Sequence, residues 1–107
     1  MPRLQQGSVV WADLPAPVGR RPVVILTRDG VFGRLNALTV APVTRTIRNT
    51  DTEVILEPVD GVKTVCAITL DNIFTIQRSA LGGVIAVLGR AKLLLVFAAV
   101  RRAFDMP

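Results

Sequence analysis

Short runs of hydrophobic residues, separated by proline, glycine and charged residues, make up most of this chain. The runs are rich in valine, isoleucine and threonine, whose branched side chains favour extended strands. The pattern predicts strands at 8–14, 22–27, 37–43, 53–59, 64–70 and 72–77, and a seventh at 82–88. Polar and glycine-containing segments at 15–19 and 28–36 predict loops, and Asp60 with Gly61 predicts a turn between two strands whose spacing suits a hairpin.

The pattern changes towards the C-terminus. Residues 89–104, "GRAKLLLVFAAVRRAF", contain no proline and no interior glycine and are rich in leucine, alanine and arginine. This composition favours an α-helix, and its hydrophobic residues are too many for one stripe, so we expect much of the helix to be covered. Short strands followed by one helix predict a mainly β fold, a compact antiparallel barrel or curled sheet with the helix packed against it.

Length and composition limit the class of protein. A chain of 107 residues, half of them hydrophobic, predicts one folded domain spanning 1–107. Its one cysteine, Cys66, lies among apolar neighbours and is expected to fill space in a strand. The longest later apolar stretch, 93–100, is far too short to span a membrane. We therefore expect a cytoplasmic protein with no membrane anchor, and the alternative role for the helix is to lie on a membrane surface.

The balance of charges favours a polyanionic partner. Thirteen basic residues outnumber eight acidic ones and give a net charge of +5, which is typical of proteins that bind nucleic acid. Eleven of the thirteen are arginines, whose planar guanidinium can bind a phosphate through two donors. Codon usage in a GC-rich genome is an alternative explanation for that excess. Because the chain has no histidine, the sequence predicts no metal site and no cofactor.

Basic residues stand at two places where a predicted strand meets a loop. Arg20 and Arg21 precede Pro22, which opens a strand, so their guanidinium groups can project from a rigid end of the sheet. The second group follows the strand at 37–43 and consists of Thr44, Arg45, Thr46 and Arg48. Hydroxyl and guanidinium groups together can hold a phosphate. Solvated turn residues are the alternative interpretation of both groups.

Two further polar or aromatic positions interrupt the strands. Asp71 lies in "LDN" between two apolar runs, which is typical of a turn whose side chains bond to the backbone. Trp11 lies inside the first predicted strand. It could stack on an unpaired base, but we predict that it packs in the core.

Four of these motifs occur in an order typical of one family. The first strand with its proline-containing loop, then "RRPVVIL", "VAPVT" and "LDNIFTI", resemble the corresponding segments of MazF/PemK-type toxins. The resemblance extends from residue 7 to the C-terminal helix. It implies a small antiparallel SH3-like barrel of the CcdB/PemK type. It also implies a sequence-selective, metal-independent endoribonuclease that is a homodimer and is inhibited by a cognate antitoxin protein.

The resemblance also implies roles for individual residues. Arg21 matches the family's catalytic arginine before the proline, and Thr44 matches the threonine that ends the "PVT" strand. Asp71 matches an acidic position that some members use in catalysis, although the arginine two residues before it is replaced by Thr69 here. The residues expected to hold the RNA backbone are Arg20, Arg45, Thr46 and Arg48.

RNA can supply its own nucleophile, because the 2′-hydroxyl lies beside the scissile phosphate. The protein then needs only to orient the reacting groups, move protons and stabilise charge. We hypothesise that Arg21 stabilises the developing phosphorane oxygens and that Thr44 donates a hydrogen bond to a non-bridging oxygen. Asp71 is the available base. Single-stranded RNA, such as mRNA, would yield a 2′,3′-cyclic phosphate and a 5′-hydroxyl.

Two other classes of protein fit the same sequence. One is a CcdB-like toxin that binds a topoisomerase without catalysis, and the pairing of Arg21 with Thr44 argues against it. The other is an RNA-binding barrel that has lost its activity. That alternative rests on residues 7–9, which read "GSV" where the family usually has "GDV".

Overall fold

Seven strands and one helix form the part of the chain described by the computed structural model, residues 4–107. The strands are β1 (Ser8–Asp13), β2 (Arg20–Ile25), β3 (Ala37–Thr44), β4 (Glu53–Leu56), β5 (Cys66–Thr69), β6 (Phe74–Gln77) and β7 (Leu81–Val87), and the helix is α1 (Arg90–Ala103). Short 3-10 turns lie at Asp29–Val31, Pro58–Asp60, Leu70–Asn72 and Arg78–Ala80. The predicted mainly β fold with one C-terminal helix is confirmed.

All of the strand pairs are antiparallel, and β3 is the strand on which the sheet turns. Its first half pairs with β6 from Ala37 to Val40, and its middle pairs with β2 from Val40 to Pro42. Its last two residues, Val43 and Thr44, pair with β5 instead. The sheet order is β4-β5-β3-β2-β1-β7, with β6 also on β3. This change of partners curls the sheet into a half-barrel.

Both faces of the curled sheet are buried, and each has its own hydrophobic cluster. Val9, Val24 and Val43 lie in the cluster that packs against α1 through Val96 and Ala99. The residues of the other cluster include Val10, Val23, Ile25, Leu38 and Val40. Because side chains alternate along a strand, the unbroken run "VVI" of β2 supplies both clusters. Each fully buried valine or leucine contributes roughly 2 kcal/mol.

The helix begins and ends within one residue of the predicted 89–104. The prediction that much of it is covered holds for one face of the helix. Val96 and Ala99 are buried, and Leu93, Val100 and Ala103 are partly buried against the same cluster, whereas Leu94 and Leu95 are 53% and 54% exposed. Within residues 4–107, no helix has the length and hydrophobicity needed to cross a membrane.

The predicted hairpin is confirmed, because β4 and β5 pair antiparallel with Leu56 opposite Cys66. Its loop is longer than predicted: β4 ends at Leu56 and β5 begins at Cys66, so nine residues separate them, and Asp60 and Gly61 lie in a turn within this loop. Glu57 and Asp60 form a capping box around a 3-10 turn with Pro58 at its start. Proline at the first helical position and reciprocal capping both favour a helical turn over continued strand.

Gly61 ends that turn in a conformation that only glycine adopts easily. Its φ is 100°, and a Cβ built there would lie 2.8 Å from the Cβ of Ala86. We expect Gly61→Ala to lower the free energy of unfolding by about 2 kcal/mol, as measured by urea denaturation. Gly33→Ala is the control, because nothing lies within 4 Å of a Cβ at Gly33. An equal loss in both variants would contradict this account of the turn.

Candidate functional site

A cleft of about 1070 Å³ opens where β1, β2 and the end of β3 meet β7 and the loop before β5. Val9, Val43 and Ile85 are among its apolar lining residues. Its charged lining, in the part of the chain that the structure describes, consists of four cations and no carboxylate: Arg20, Arg21, Arg45 and Lys63. A cleft with charge of one sign concentrates counter-ions of the other sign, so this site suits a polyanion.

Arg21 and Thr44 line this same cleft. The register of β2 and β3 explains why residues so far apart in the sequence meet there. Val23 pairs with Pro42 and Val24 with Ala41, so the same register continued by two residues sets Arg21 opposite Thr44. Opposite residues of an antiparallel pair project to the same side of the sheet. The two predicted catalytic groups are therefore brought together.

The hydroxyl of Thr44 is oriented by its own turn. The N–H of Thr46 donates to Thr44 Oγ1 at 3.1 Å, which occupies an acceptor position and leaves the hydroxyl proton available for a ligand. Arg21 Nη1 donates to the carbonyl oxygen of Arg20 at 3.2 Å. A guanidinium has five N–H donors, so most of those of Arg21 can still bind an anion.

Trp11 lies in the cleft, and the prediction that it packs in the core is wrong. It is 36% exposed, and the guanidinium carbon of Arg20 lies 4.8 Å from its ring centroid. Gly82 on the neighbouring strand β7 lies beside Trp11, because a Cβ at Gly82 would be 3.5 Å from Trp11 Cβ. Glycine has no side chain, so this position does not cover the indole ring. An arginine over an indole ring is attracted electrostatically, so Arg20 is held at the edge of the cleft.

The remaining predicted RNA-binding residues divide between two depressions. Arg45 and Thr46 line the large cleft. Arg48 lines a smaller hollow of about 220 Å³ next to it, which shares Thr44 and Thr46 with the cleft. The N–H of Arg48 donates to Glu53 Oε1 at 3.0 Å, and this bond connects the loop between β3 and β4 to the first residue of β4.

Asp71, the third predicted catalytic residue, lines neither depression. Its Oδ2 atom accepts a hydrogen bond from Thr52 Oγ1 at 2.6 Å. Asp71 lies in the 3-10 turn Leu70–Asn72 that follows β5, and Thr69 and Asn72, but not Asp71 itself, line the smaller hollow with Thr44. The structure does not bring Asp71 together with Arg21 and Thr44.

Two lining residues, Lys63 and Thr64, were not anticipated from the sequence. A single lysine and threonine after a glycine carry no motif, so only the path of the loop reveals them. Cys66 also lines the cleft and is only 7% exposed, which confirms that it fills space in a strand. Burial raises the pKa of the Cys66 thiol, and the nearby Arg45 guanidinium opposes part of that rise.

Solved structures define the class to which this fold and cleft belong. The Mycobacterium tuberculosis toxin MazF-mt6 superposes with a TM-score of 0.86 at 35% identity, covering 94% of this chain and 98% of that chain. A mycobacterial endoribonuclease in complex with its cognate antitoxin has the same fold, with a TM-score of 0.87 at 23% identity, and covers 98% of each chain. The half-barrel is that of a bacterial toxin.

Sequence comparison identifies the family. Residues 5–104 match the PemK-like, MazF-like toxins of type II toxin–antitoxin systems. The probable endoribonuclease MazF5 of M. tuberculosis is 42% identical over 77 residues, which cover 71% of this chain and 70% of MazF5. Endoribonuclease MazF3 from the same species is 38% identical over 86 residues, covering 80% and 84%. The chain belongs to the PemK/MazF-like toxin family, and the predicted endoribonuclease activity is confirmed by these relatives.

The buried thiol in the cleft gives a test of the site's geometry. Because burial raises the pKa of Cys66, the thiolate that reacts with disulfide reagents is scarce near neutral pH. We expect a water-soluble aromatic disulfide to label the native protein at least about tenfold more slowly than the same protein unfolded in guanidinium chloride. The rate should increase with pH. Equal rates in the native and unfolded protein would mean that the thiol is open to solvent.

Proposed function

We propose that this toxin is a sequence-selective, metal-independent endoribonuclease that cleaves single-stranded RNA in the cytoplasm. The observation that carries the proposal is the cleft itself. Among the described residues, Thr44 lines it together with four cations, one of which is Arg21, and no carboxylate lines it. A polyanion without its own nucleophile would be bound there but not cut. RNA brings both the negative charge and the 2′-hydroxyl that the reaction needs.

In the proposed reaction the RNA 2′-oxygen attacks the adjacent phosphorus and loses its proton, and the bond from phosphorus to the 5′-oxygen breaks. The leaving 5′-oxygen takes a proton, so the products are a 2′,3′-cyclic phosphate and a 5′-hydroxyl. Arg21 stabilises the negative charge that develops on the phosphorane oxygens, and Thr44 donates its hydroxyl proton in a hydrogen bond to a non-bridging oxygen. Preorganised donors of this kind are the largest source of rate enhancement in many enzymes.

The composition of the cleft restricts which groups can transfer protons in the reaction. Arginine at its ordinary pKa is a poor acid or base, and burial raises the pKa of Cys66, so the thiolate is scarce. We propose that solvent hydroxide and water move the protons. Asp71 accepts a hydrogen bond from Thr52. Its role is then structural: it stabilises the 3-10 turn that holds β5 beside β4 and does not act on the substrate.

The other cationic residues bind the RNA backbone. Arg20 and Arg45 line the cleft with Thr46, and Arg48 extends the basic surface into the neighbouring hollow. Phosphate contacts of this kind release counterions from the nucleic acid, so affinity decreases steeply with added salt. They position the RNA without reading its bases, and base selectivity requires further contacts along the cleft.

We also propose that the chain works as a homodimer and is inhibited by a cognate antitoxin protein. The family comprises toxins of toxin–antitoxin systems, and a protein of the same fold was solved with its cognate antitoxin. The exposed Leu94 and Leu95 of α1 and the exposed Phe104 beyond it provide apolar surface that a partner would cover.

Arg21 and Thr44 should each be needed for cleavage. We expect Arg21→Ala and Thr44→Val to reduce kcat/KM on a long single-stranded RNA in EDTA by about a hundredfold or more, since each removes a donor to the developing charge. Thr44→Val keeps the shape of the side chain and removes only the hydroxyl. Mapping of the cut ends should show cyclic phosphates in the wild type.

The matched control for these variants is Arg34→Ala. Arg34 is exposed and lines neither depression, so its loss lowers the net charge equally without touching the site. Intact RNA at high excess of the wild-type protein would support the inactive RNA-binding barrel. Equal decreases of kcat/KM in Arg34→Ala and Arg21→Ala would mean that the net charge of the protein, and not the position of Arg21, determines the activity.

The dependence of the rate on pH separates solvent hydroxide from Asp71 as the base. If hydroxide takes the proton, log kcat/KM should rise almost linearly from about pH 6 to about pH 9. An ionised carboxylate acting as base would instead give a flat profile over that range. We also expect Asp71→Asn to retain most of the activity, because an amide still accepts the bond from Thr52. A flat wild-type profile that becomes sloped in Asp71→Asn would restore the catalytic role of Asp71.

A further inference from the structure

The loop between β4 and β5 forms a wall of the cleft that belongs to neither β2 nor β3. Val62, Lys63 and Thr64 from this loop line the cleft together with Arg21 and Thr44. Exposed loops are usually more mobile than the elements that they connect, which makes them poor at holding a ligand in a fixed place. This loop, in contrast, is anchored to the rest of the fold.

The anchor is a shared carboxylate. Asp60 Oδ2 accepts the N–H of Glu57 at 2.8 Å and lies 3.4 Å from Lys92 Nζ of α1. The same Nζ donates to the carbonyl oxygen of Ile55, at the end of β4, at 2.8 Å. The side chains of Lys92 and Asp60 are only 22% and 13% exposed, so solvent screens this pair less than it screens a surface ion pair.

Two further contacts restrict the loop between this anchor and the cleft. Gly61 follows Asp60 directly and has no room for a side chain beside Ala86 on β7. Cys66, five residues later, is buried at the start of β5. The segment 62–65 is therefore held at both ends, and Lys63 extends from it into the cleft.

The two lysines of the chain have different environments. Lys92 is paired with Asp60, whereas Lys63 is exposed and forms no salt bridge with any residue from 4 to 107. Lys63 shares the cleft with three arginines, and like charges brought together repel one another. A bound polyanion relieves that repulsion, so the unpaired charge of Lys63 is best explained as part of the binding surface.

We propose that Lys63 binds an RNA phosphate from this wall and that Lys92 is a positioning residue, which acts through Asp60 to hold Lys63 in the cleft. The inference rests on the proposed cleavage of RNA and deepens it. RNA is then held between Arg20 and Arg21 of β2 and Arg45, which follows β3, on one side and Lys63 on the other. Helix α1, which has no residue in the cleft lining, contributes to substrate binding through the Lys92 contact.

The role of Lys63 can be tested with substitutions at an exposed position. We expect Lys63→Gln to raise KM for single-stranded RNA by about fivefold, as for one exposed charge contact, with kcat unchanged. The slope of log affinity against log salt should decrease by about one. Lys63→Arg should restore both. Arg101→Gln on the exposed surface of α1 is the matched control and should change neither. An unchanged KM and salt slope in Lys63→Gln would overturn the proposal.

The role of Lys92 is tested by a double-mutant cycle that combines substitutions of Lys92 and Lys63. We expect Lys92→Gln to raise KM by a similar factor, and Lys63→Gln to have little further effect in the Lys92→Gln background. If Lys92 only stabilised the fold, the two effects on KM would multiply, and the positioning role would be rejected. Asp60→Asn is a second variant for the same cycle, because its amide oxygen still accepts the Glu57 N–H while the charge that holds Lys92 is lost. Urea denaturation verifies that each variant is folded.

Binding to an oligoribonucleotide with 2′-O-methyl groups separates this inference from the proposed catalysis. That RNA keeps its phosphates but cannot attack itself, so its Kd reports the contacts alone. If the wild type cuts no RNA, the proposed reaction fails, and the Kd values for Lys63→Gln, Lys63→Arg and Arg101→Gln still decide the role of Lys63. A Kd that is the same for all of them would reject the contact.

Discussion

The end of the β2–β3 ladder is the constraint on which the cleft depends. Pro42 pairs with Val23 as the last pair of that ladder, and the same register would set Pro22 against Val43. Proline has no backbone N–H to donate, so hydrogen bonding between the two strands stops at this point. Val43 and Thr44 then pair with β5. Arg21 and Thr44 lie beyond the last pair of this ladder, and both line the cleft.

The chemistry of the cleft follows from where its charges are placed. Four cations surround a partly apolar lining, and no carboxylate from the described residues neutralises them. Low-dielectric walls strengthen the field that the cations produce, which favours an anion over water at the centre. The charges come from β2, from the end of β3 and from the loop before β5, so an anion can be contacted from several sides. Rigid attachment of each source keeps the donors in place as negative charge develops.

Much of the fold could be predicted from the sequence, because strands and helix follow local patterns. The runs of valine and isoleucine located all seven strands to within a few residues, and residues 90–103 form the helix that their composition predicts. The length of the loop from 57 to 65 was underestimated, because the capping box of Glu57 and Asp60 ends β4 earlier than the run of strand-forming residues predicts. Trp11 was assigned to the wrong environment because its exposure depends on Gly82, which is far from it in the sequence but lies on the neighbouring strand.

The site could be predicted only in part, since its residues meet through long-range register. Motifs pointed to Arg21 and Thr44, but both lie beyond the last pair of the β2–β3 ladder, and only the arrangement of the strands places them on the same cleft. No local signal distinguishes Lys63 from any exposed lysine, and its place in the cleft follows from the path of the loop between β4 and β5. Asp71 shows the converse: a motif pointed to it, but it lies in the 3-10 turn between β5 and β6 and lines neither depression.

The described lining residues include no carboxylate, and burial raises the pKa of their one thiol, Cys66, which restricts what the site can cut. Guanidinium and hydroxyl groups can bind a phosphate and stabilise charge on it, but neither attacks phosphorus at ordinary pH. Such a site depends on a nucleophile carried by its substrate. RNA provides one at every nucleotide, and DNA provides none, although both would be attracted equally by the four cations. In the proposed reaction the preference for RNA therefore arises in the chemical step rather than in electrostatic binding, and Arg21 and Thr44 contribute to it by stabilising the charge that develops on the phosphorane.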